Sequence, residues 1–183
     1  MRSVDLTRRF WQVSFDQVRL PTSAVLGTPG QAGQQVARQL RHALVLLCAE
    51  SVGSMQAGFD LTSEWLVDRY SFGRPLGSYQ AIRHRFADMK MWLEASHAIA
   101  DASSDAVCDG ESGADETVSI AKAYVGRYGA ELLHECVQFH GGIGVTYEHD
   151  LHLFVRRVTL DRGLLGTPAD HLRAVADLRR VAA

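Results

Sequence analysis

Between Val36 and Arg69 the apolar side chains recur mostly at three- and four-residue steps over 34 residues: Val36, Leu40, Ala43, Leu47, Val52, Met55, Phe59 and Leu66 fall on one stripe, which Arg69 ends. A stripe of that period and length belongs to an amphipathic helix too long for an ordinary small globular fold and suited to a bundle. Ala49, Ser51, Gly53, Ser54, Ala57 and Gly58 are all small, so the middle of this helix admits a close neighbour. Phe72-Gly73-Arg74-Pro75 ends it, because Gly suits the C-terminal turn and Pro cannot continue the ladder.

Two further long helices follow the same logic. One is expected to open with Ser78 as its N-cap and to carry Ile82, Phe86, Met89, Leu93, Ala100 and Val107 inward. After the polar turn Cys108–Gly113, the next runs from about Glu116 through Ile120, Tyr124, Tyr128, Leu132 and Cys136 to His140. Shorter helices are expected from His149 to about Arg162, and from Thr167 onward, where Thr167 caps, Pro168 takes the first helical position and Asp170 completes a capping box. The expected fold is all-α: an up-and-down four-helix bundle with a short extra C-terminal helix, preceded by a short β remnant. That remnant is Trp11–Val18, where apolar and polar residues alternate strictly until Leu20-Pro21. A lone strand cannot satisfy its own edges, so the segment reads as the tail of a β domain or as a strand leaning on another chain.

Composition narrows the function classes. With 46% hydrophobic and 22% charged residues over 183 positions the chain folds. A net charge of −2 gives no electrostatic reason to bind nucleic acid or an anionic membrane. The longest apolar run, Ala43–Ala49, is far shorter than the roughly 20 residues a spanning helix needs, and residues 1–20 hold no signal-peptide core, so a cytoplasmic protein is expected. Cys48, Cys108 and Cys136 lie far apart in apolar helical contexts and are expected to be reduced core thiols. His149 and His152 stand one turn apart beside Glu148 but lack a third ligand at a suitable spacing, so no metal centre is expected.

Two segments hold more chemistry than their connecting roles need. Arg69–Gln80 packs an Arg, hydroxyls, aromatics and an amide into one helix connection. Gly, Pro and Ser are ordinary in such connections, yet this set also suits a phosphorylated aromatic cofactor. Gln138-Phe139-His140-Gly141-Gly142-Ile143-Gly144 ends the third helix with three glycines in four residues, more than a C-cap requires and compatible with a nucleotide lying along the backbone. No strand precedes it, so it is not a dinucleotide-binding fingerprint.

Taken in order, the entry Val13–Pro21 with Val25-Leu26-Gly27, the R-x-x-F-G-x-x-[ILV]-x-x-x-Q stretch from Arg69 to Gln80, Ala87-Asp88-Met89, and Gln138-x-x-Gly141-Gly142-x-Gly144 resemble the C-terminal part of the acyl-CoA dehydrogenase flavoproteins. The resemblance covers nearly the whole chain from about residue 10. It implies residues 1–27 as the remnant of a middle β domain and linker, and residues 28–183 as the C-terminal helical domain. It further implies FAD as cofactor, an acyl-CoA thioester as substrate, an electron-transfer flavoprotein as electron acceptor, and a homo- or hetero-oligomer. Arg69, Ser71, Phe72, Leu76, Tyr79, Gln80 and Ile82 would face a neighbouring subunit's FAD, with Arg69 near its pyrophosphate, and Gln138, Gly141 and Gly142 would follow its adenosine portion.

Two departures from the family pattern stand out. Its N-terminal helical domain and most of its β domain have no counterpart here, which is expected of a fragment, a truncated reading frame or a natural half-length subunit. The general base is ordinarily a Glu in a stretch aligned with Leu164-Leu165-Gly166-Thr167, and in some members it lies on the first bundle helix. Leu165 and Ala43 occupy those two positions, and neither accepts a proton. Glu50 stands two turns from Ala43, about 10 Å along the helix, while Asp161 remains a candidate substitute. The expectation is a domain that contributes FAD contacts and oligomer surface without a catalytic base. The alternative is a helical assembly subunit that binds no flavin and supports a partner dehydrogenase chain.

Overall fold

The computed structural model describes residues 3–182. Five helices make up the fold: α1 Gly33–Asp68, α2 Gln80–Cys108, α3 Ala114–His140, α4 Leu151–Gly163 and α5 Pro168–Ala182. The three long helices run up, down and up, and the broken fourth position is filled by α4 and α5. α3 is central and packs against each of the other four. Its apolar stripe, with Val125, Leu132, Leu133 and Cys136, meets Val52, Met55 and Phe59 of α1, Met89 and Leu93 of α2, and Leu151 and Val158 of α4.

Small residues set the helix spacing at two places. A Cβ on Gly58 would lie 2.4 Å from Leu133 Cδ2, so α1 and α3 touch there only because Gly58 has no side chain. A Cβ on Gly129 would crowd Val158 and Met55 at 3.1 and 3.2 Å. A Cβ on Gly53 would meet nothing within 4 Å, although it belongs to the same run of small residues. At α5 the expected capping box forms: Thr167 N–H donates to Asp170 Oδ2 (2.9 Å) and Asp170 N–H to Thr167 Oγ1 (3.3 Å).

Four expectations are corrected. Residues 11–18 form no strand, and Trp11, Val13 and Phe15 are exposed, since a ladder needs a second strand and this chain offers none there. Among the described residues the strand pairing is confined to β1 (Tyr70–Ser71) against β2 (Arg74–Pro75). Ser78 does not cap α2; it lies in the 3-10 turn Leu76–Ser78, where its hydroxyl donates to the Pro75 carbonyl at 2.7 Å, and Tyr79 takes the N-cap position. α4 begins at Leu151, with His149 in the turn before it. Cys48 and Cys136 are buried as expected, but Cys108, the last residue of α2, is exposed because the helix end faces solvent. No described helix is long and apolar enough to cross a membrane.

Candidate functional site

The C-terminal ends of α1 and α3 and the N-terminal end of α2 lie at one end of the bundle, which therefore gathers both motif segments. Arg69 caps α1 and is exposed, and its guanidinium forms no ion pair among the described residues. Beyond it, β1 and β2 close a tight hairpin with Phe72 (φ +49°) and Gly73 (φ +79°) at its tip. Phe72 is 98% exposed. A left-handed backbone strains a phenylalanine, and the contacts behind the tip keep it there. Tyr79 Oη donates to the Ser71 carbonyl at 2.8 Å, the Arg74 guanidinium lies 3.8 Å from the centre of the Tyr79 ring, and Leu76 N–H donates to the Arg69 carbonyl at 2.8 Å.

The glycine turn sits at the end of α3. Gly141 has φ +64°, so it is glycine for conformational reasons. A Cβ on Gly144 would lie 2.8 Å from the Val137 carbonyl oxygen, so it is glycine for lack of space. Gly142 is exposed, a Cβ there would meet nothing within 4 Å, and its φ is not positive, so the fold gives no reason for a glycine. Gln138 is exposed on the last turn of α3. His140 is buried, its Nδ1 against the Cys136 carbonyl at 2.8 Å and its Nε2 without a partner among the described residues. Burial lowers its pKa, the Cys136 contact works the other way, and nearby His149 lowers it further.

Trp65 joins the two segments. Its indole N–H donates to the Phe139 carbonyl at 3.1 Å, its ring stacks on His140 at 5.1 Å, and the Arg69 guanidinium lies 5.7 Å from its ring centre. Trp65 belongs to neither motif, and its one signal in the sequence is its place one helical turn before Arg69, which puts both on one face. The expected residues do not all converge. Arg69, Phe72, Gln80, Gln138, Gly141 and Gly142 are open to solvent, Ser71, Leu76 and Tyr79 are half-buried in the hairpin's support, and Ile82 lines the groove between α1 and α2 with Phe59 and Leu66.

A second place of interest lies far along α1. Ala43 and Leu165 line one depression of about 490 Å³ together with Arg8, Leu46, Leu47, Glu50 and Leu164. Leu165 (φ +57°) and Gly166 (φ +112°) form the bend that brings the α4–α5 connection to its edge. Lys122, 2% exposed, holds this bend: its ammonium donates to the carbonyls of Asp161 (2.7 Å), Arg162 (3.2 Å) and Gly166 (3.3 Å).

The carboxylates near the depression are engaged. Glu50 accepts from Arg8 and from Arg157, and Arg157 also reaches Asp5 and Thr7, so four charged groups from three segments interlock. Asp161 lies beneath, 1% exposed, accepting from Ser51 Oγ at 3.4 Å with Arg8 at 3.6 Å, while its Oδ1 has no hydrogen-bond partner among the described residues. Burial pushes its pKa up to about 6; the Glu50 charge adds to the rise and Arg8 and Arg157 oppose it. Asp161 is not among the residues that line the depression.

Comparison with known proteins matches this arrangement to one family. The family model for the acyl-CoA dehydrogenase C-terminal domain covers residues 32–178. The chain is 37% identical over 136 residues to acyl-CoA dehydrogenase IpdE2 of Mycobacterium tuberculosis, covering 72% of this chain and 39% of that protein. Against IpdE2 of Mycolicibacterium smegmatis it is 34% identical over 131 residues, 72% of this chain and 40% of that one. Butyryl-CoA dehydrogenase from Megasphaera elsdenii superposes with a TM-score of 0.84 at 25% identity, over 91% of this chain and 43% of that one. A Tcur3481-Tcur3483 steroid ACAD variant gives 0.75 at 29% identity, over 78% and 39%. The chain spans about two-fifths of the length of the curated IpdE2 relatives it matches. It belongs to the acyl-CoA dehydrogenase family, whose C-terminal helical domain it carries.

Proposed function

We propose that this chain supplies one face of an FAD site completed by another subunit, together with oligomer surface, and supplies no catalytic base of its own. The observation that carries the reading is Gly142. Neither its backbone nor its neighbours require glycine, yet it stands bare beside Gly141, across Trp65 from an exposed Arg69 that has no ion pair among the described residues. Bare backbone beside an unpaired cation and an exposed aromatic suits a phosphorylated aromatic ligand, so the residues present fit FAD. Arg69 would balance pyrophosphate charge, Gly141 and Gly142 with Gln138 would let the adenosine portion lie against the backbone, and Phe72 would cover an apolar edge. FAD, when bound, supplies the hydride acceptor for α,β-dehydrogenation of an acyl-CoA thioester, and an electron-transfer flavoprotein would take the electrons onward.

The absence of a base is supported by the Ala43–Leu165 depression, where the nearest carboxylate, Glu50, has both oxygens held by arginines. The complementary proton acceptor would come from a partner dehydrogenase chain, a pairing consistent with the two-component name of the Tcur3481-Tcur3483 steroid ACAD. On this reading residues 1–27 are the tail of a β domain and residues 28–183 the bundle, and the exposed Trp11, Val13 and Phe15 are covered in the assembly.

The test compares the chain alone with the chain co-purified with its native partner. The isolated chain is expected to retain little FAD and to show no acyl-CoA-dependent bleaching of added flavin, since a positioned base contributes about 10²–10⁴-fold to rate. The assembly is expected to be yellow and active. Turnover by the isolated chain that disappears in Asp161→Asn would overturn the base-less reading, and an assembly without flavin would favour the flavin-free supporting subunit instead.

A further inference from the structure

We propose that Trp65 is a positioning residue for the flavin face, fixing Arg69 and the Gly141-Gly142 turn relative to one another by contacting both the Arg69 guanidinium and the His140 ring while its N–H holds the Phe139 carbonyl. The inference rests on the FAD face proposed above and adds a residue to it.

The last carbonyls of a helix have no partner inside it. At the end of α3, Gly141 N–H returns to the Val137 and Gln138 carbonyls, and the Phe139 carbonyl is taken by the indole at 3.1 Å. That bond sets the orientation of the final turn directly before Gly141. Arg69 follows the end of α1 and has neither burial nor, among the described residues, an ion pair to order its long side chain. The indole face at 5.7 Å is the contact that narrows its conformations, by cation–π attraction.

Trp65 also lies outside the main apolar cluster, half-buried at the bundle's end, so core filling does not account for it. A Leu would fill comparable apolar space but could neither donate to a carbonyl nor stack on two planar groups. The His140 ring stacks on the same indole at 5.1 Å, and burial, together with the His149 ring beside it at 4.5 Å, works against charge on it. The Trp65 ring therefore contacts the Arg69 cation and the His140 ring together.

The test is a double-mutant cycle on FAD affinity in the assembly co-purified with its partner and stripped of flavin. Trp65→Leu is expected to raise the FAD dissociation constant roughly tenfold, and Trp65→Phe by less, because a ring still stacks. Trp65→Leu combined with Arg69→Ala is expected to fall short of the product of the single effects by at least about threefold. An independent readout comes from the chain alone: the Arg69 Nε–H resonance, displaced by the indole ring current, is expected to move to its ordinary position in Trp65→Leu and to stay displaced in Trp65→Phe. If Trp65→Leu does not fold, Trp65→Phe carries the cycle. FAD affinity unchanged by the Trp65 variant while Arg69→Ala weakens it, or fully multiplicative effects, would overturn the proposal. No effect of Arg69→Ala would instead remove the FAD face on which it rests.

Discussion

Lys122 gives the sharpest stability prediction. Its ammonium is buried and donates to three backbone carbonyls, two in the last turn of α4 and one in the bend that follows. Replacement by Met keeps the length and apolar stem of the side chain and removes only the donor. A hydrogen bond involving a charged group contributes about 1.5–3 kcal/mol, and two of these three are long. Against that stands relief from holding a cation out of water: burial lowers the Lys122 pKa, while the nearby Asp161 carboxylate works the other way. The net expectation for Lys122→Met is a loss of about 3 kcal/mol at pH 7, within a typical total of roughly 5–15 kcal/mol. For a chain of this length that is a fall of about 6–12 °C in Tm, read by calorimetry. Lys90→Met is the matched control, because Lys90 makes an exposed i,i+4 pair with Glu94 and should cost no more than about 0.5 kcal/mol. A loss below about 1 kcal/mol for Lys122→Met, equal to the control, would refute the reasoning and mean that water replaces the amine at all three carbonyls.

Two further outcomes follow from the same packing. Asp161 has a folded pKa above its unfolded one, so the protonated form suits the fold, and stability is present below about pH 4 and lost as pH rises through about 6. Asp161→Asn is therefore expected to flatten urea-unfolding stability between pH 4 and 7 and to gain on the order of 2 kcal/mol at pH 7, and parallel profiles for the two proteins would contradict this. Gly58→Ala is expected to cost about 1–2 kcal/mol by forcing Leu133 aside, whereas Gly53→Ala should stabilise by up to about 1 kcal/mol because nothing opposes its Cβ, and the Tm difference between the two variants checks both signs.

What could be read in the sequence was local. The α1 stripe, the stop at Phe72–Pro75 and the Thr167–Asp170 cap are decided by residues a few positions apart, so period and spacing reveal them. The alternation at Trp11–Val18 was equally plain, but a strand is a statement about two segments and only one is here. Ser78 had the right residue type for a cap and found a nearer acceptor in the Pro75 carbonyl. Of the site, the hairpin and the glycine turn were legible as motifs, whereas the side chain that joins them was not, because the Trp65–Phe139 bond spans 74 residues. Arg157 reaches Asp5 across 152 residues, so the charge cluster under the depression left no local trace. Lys122 left a faint one: in a chain that uses Arg nearly everywhere, only Lys90 and Lys122 are lysines, and a buried site with three acceptors in different directions favours an ammonium over a planar fork.

The length of α1 carries an architectural consequence. Ala43 and Arg69 are separated by 26 residues of continuous helix, about 39 Å at 1.5 Å per residue and more than the ~30 Å diameter of a small domain. On the proposed reading proton removal and hydride transfer happen on adjacent carbons of one thioester, so the depression at Ala43 and the reacting end of a flavin held near Arg69 would serve different reactions. On the proposed reading each copy of this domain is a strut between two reaction chambers, walling one with its Ala43 end and bracing the nucleotide of the other with its Arg69 end. Damage at either end would then be felt in a different chamber, and the rigidity of one uninterrupted helix would set how far apart the two chambers lie.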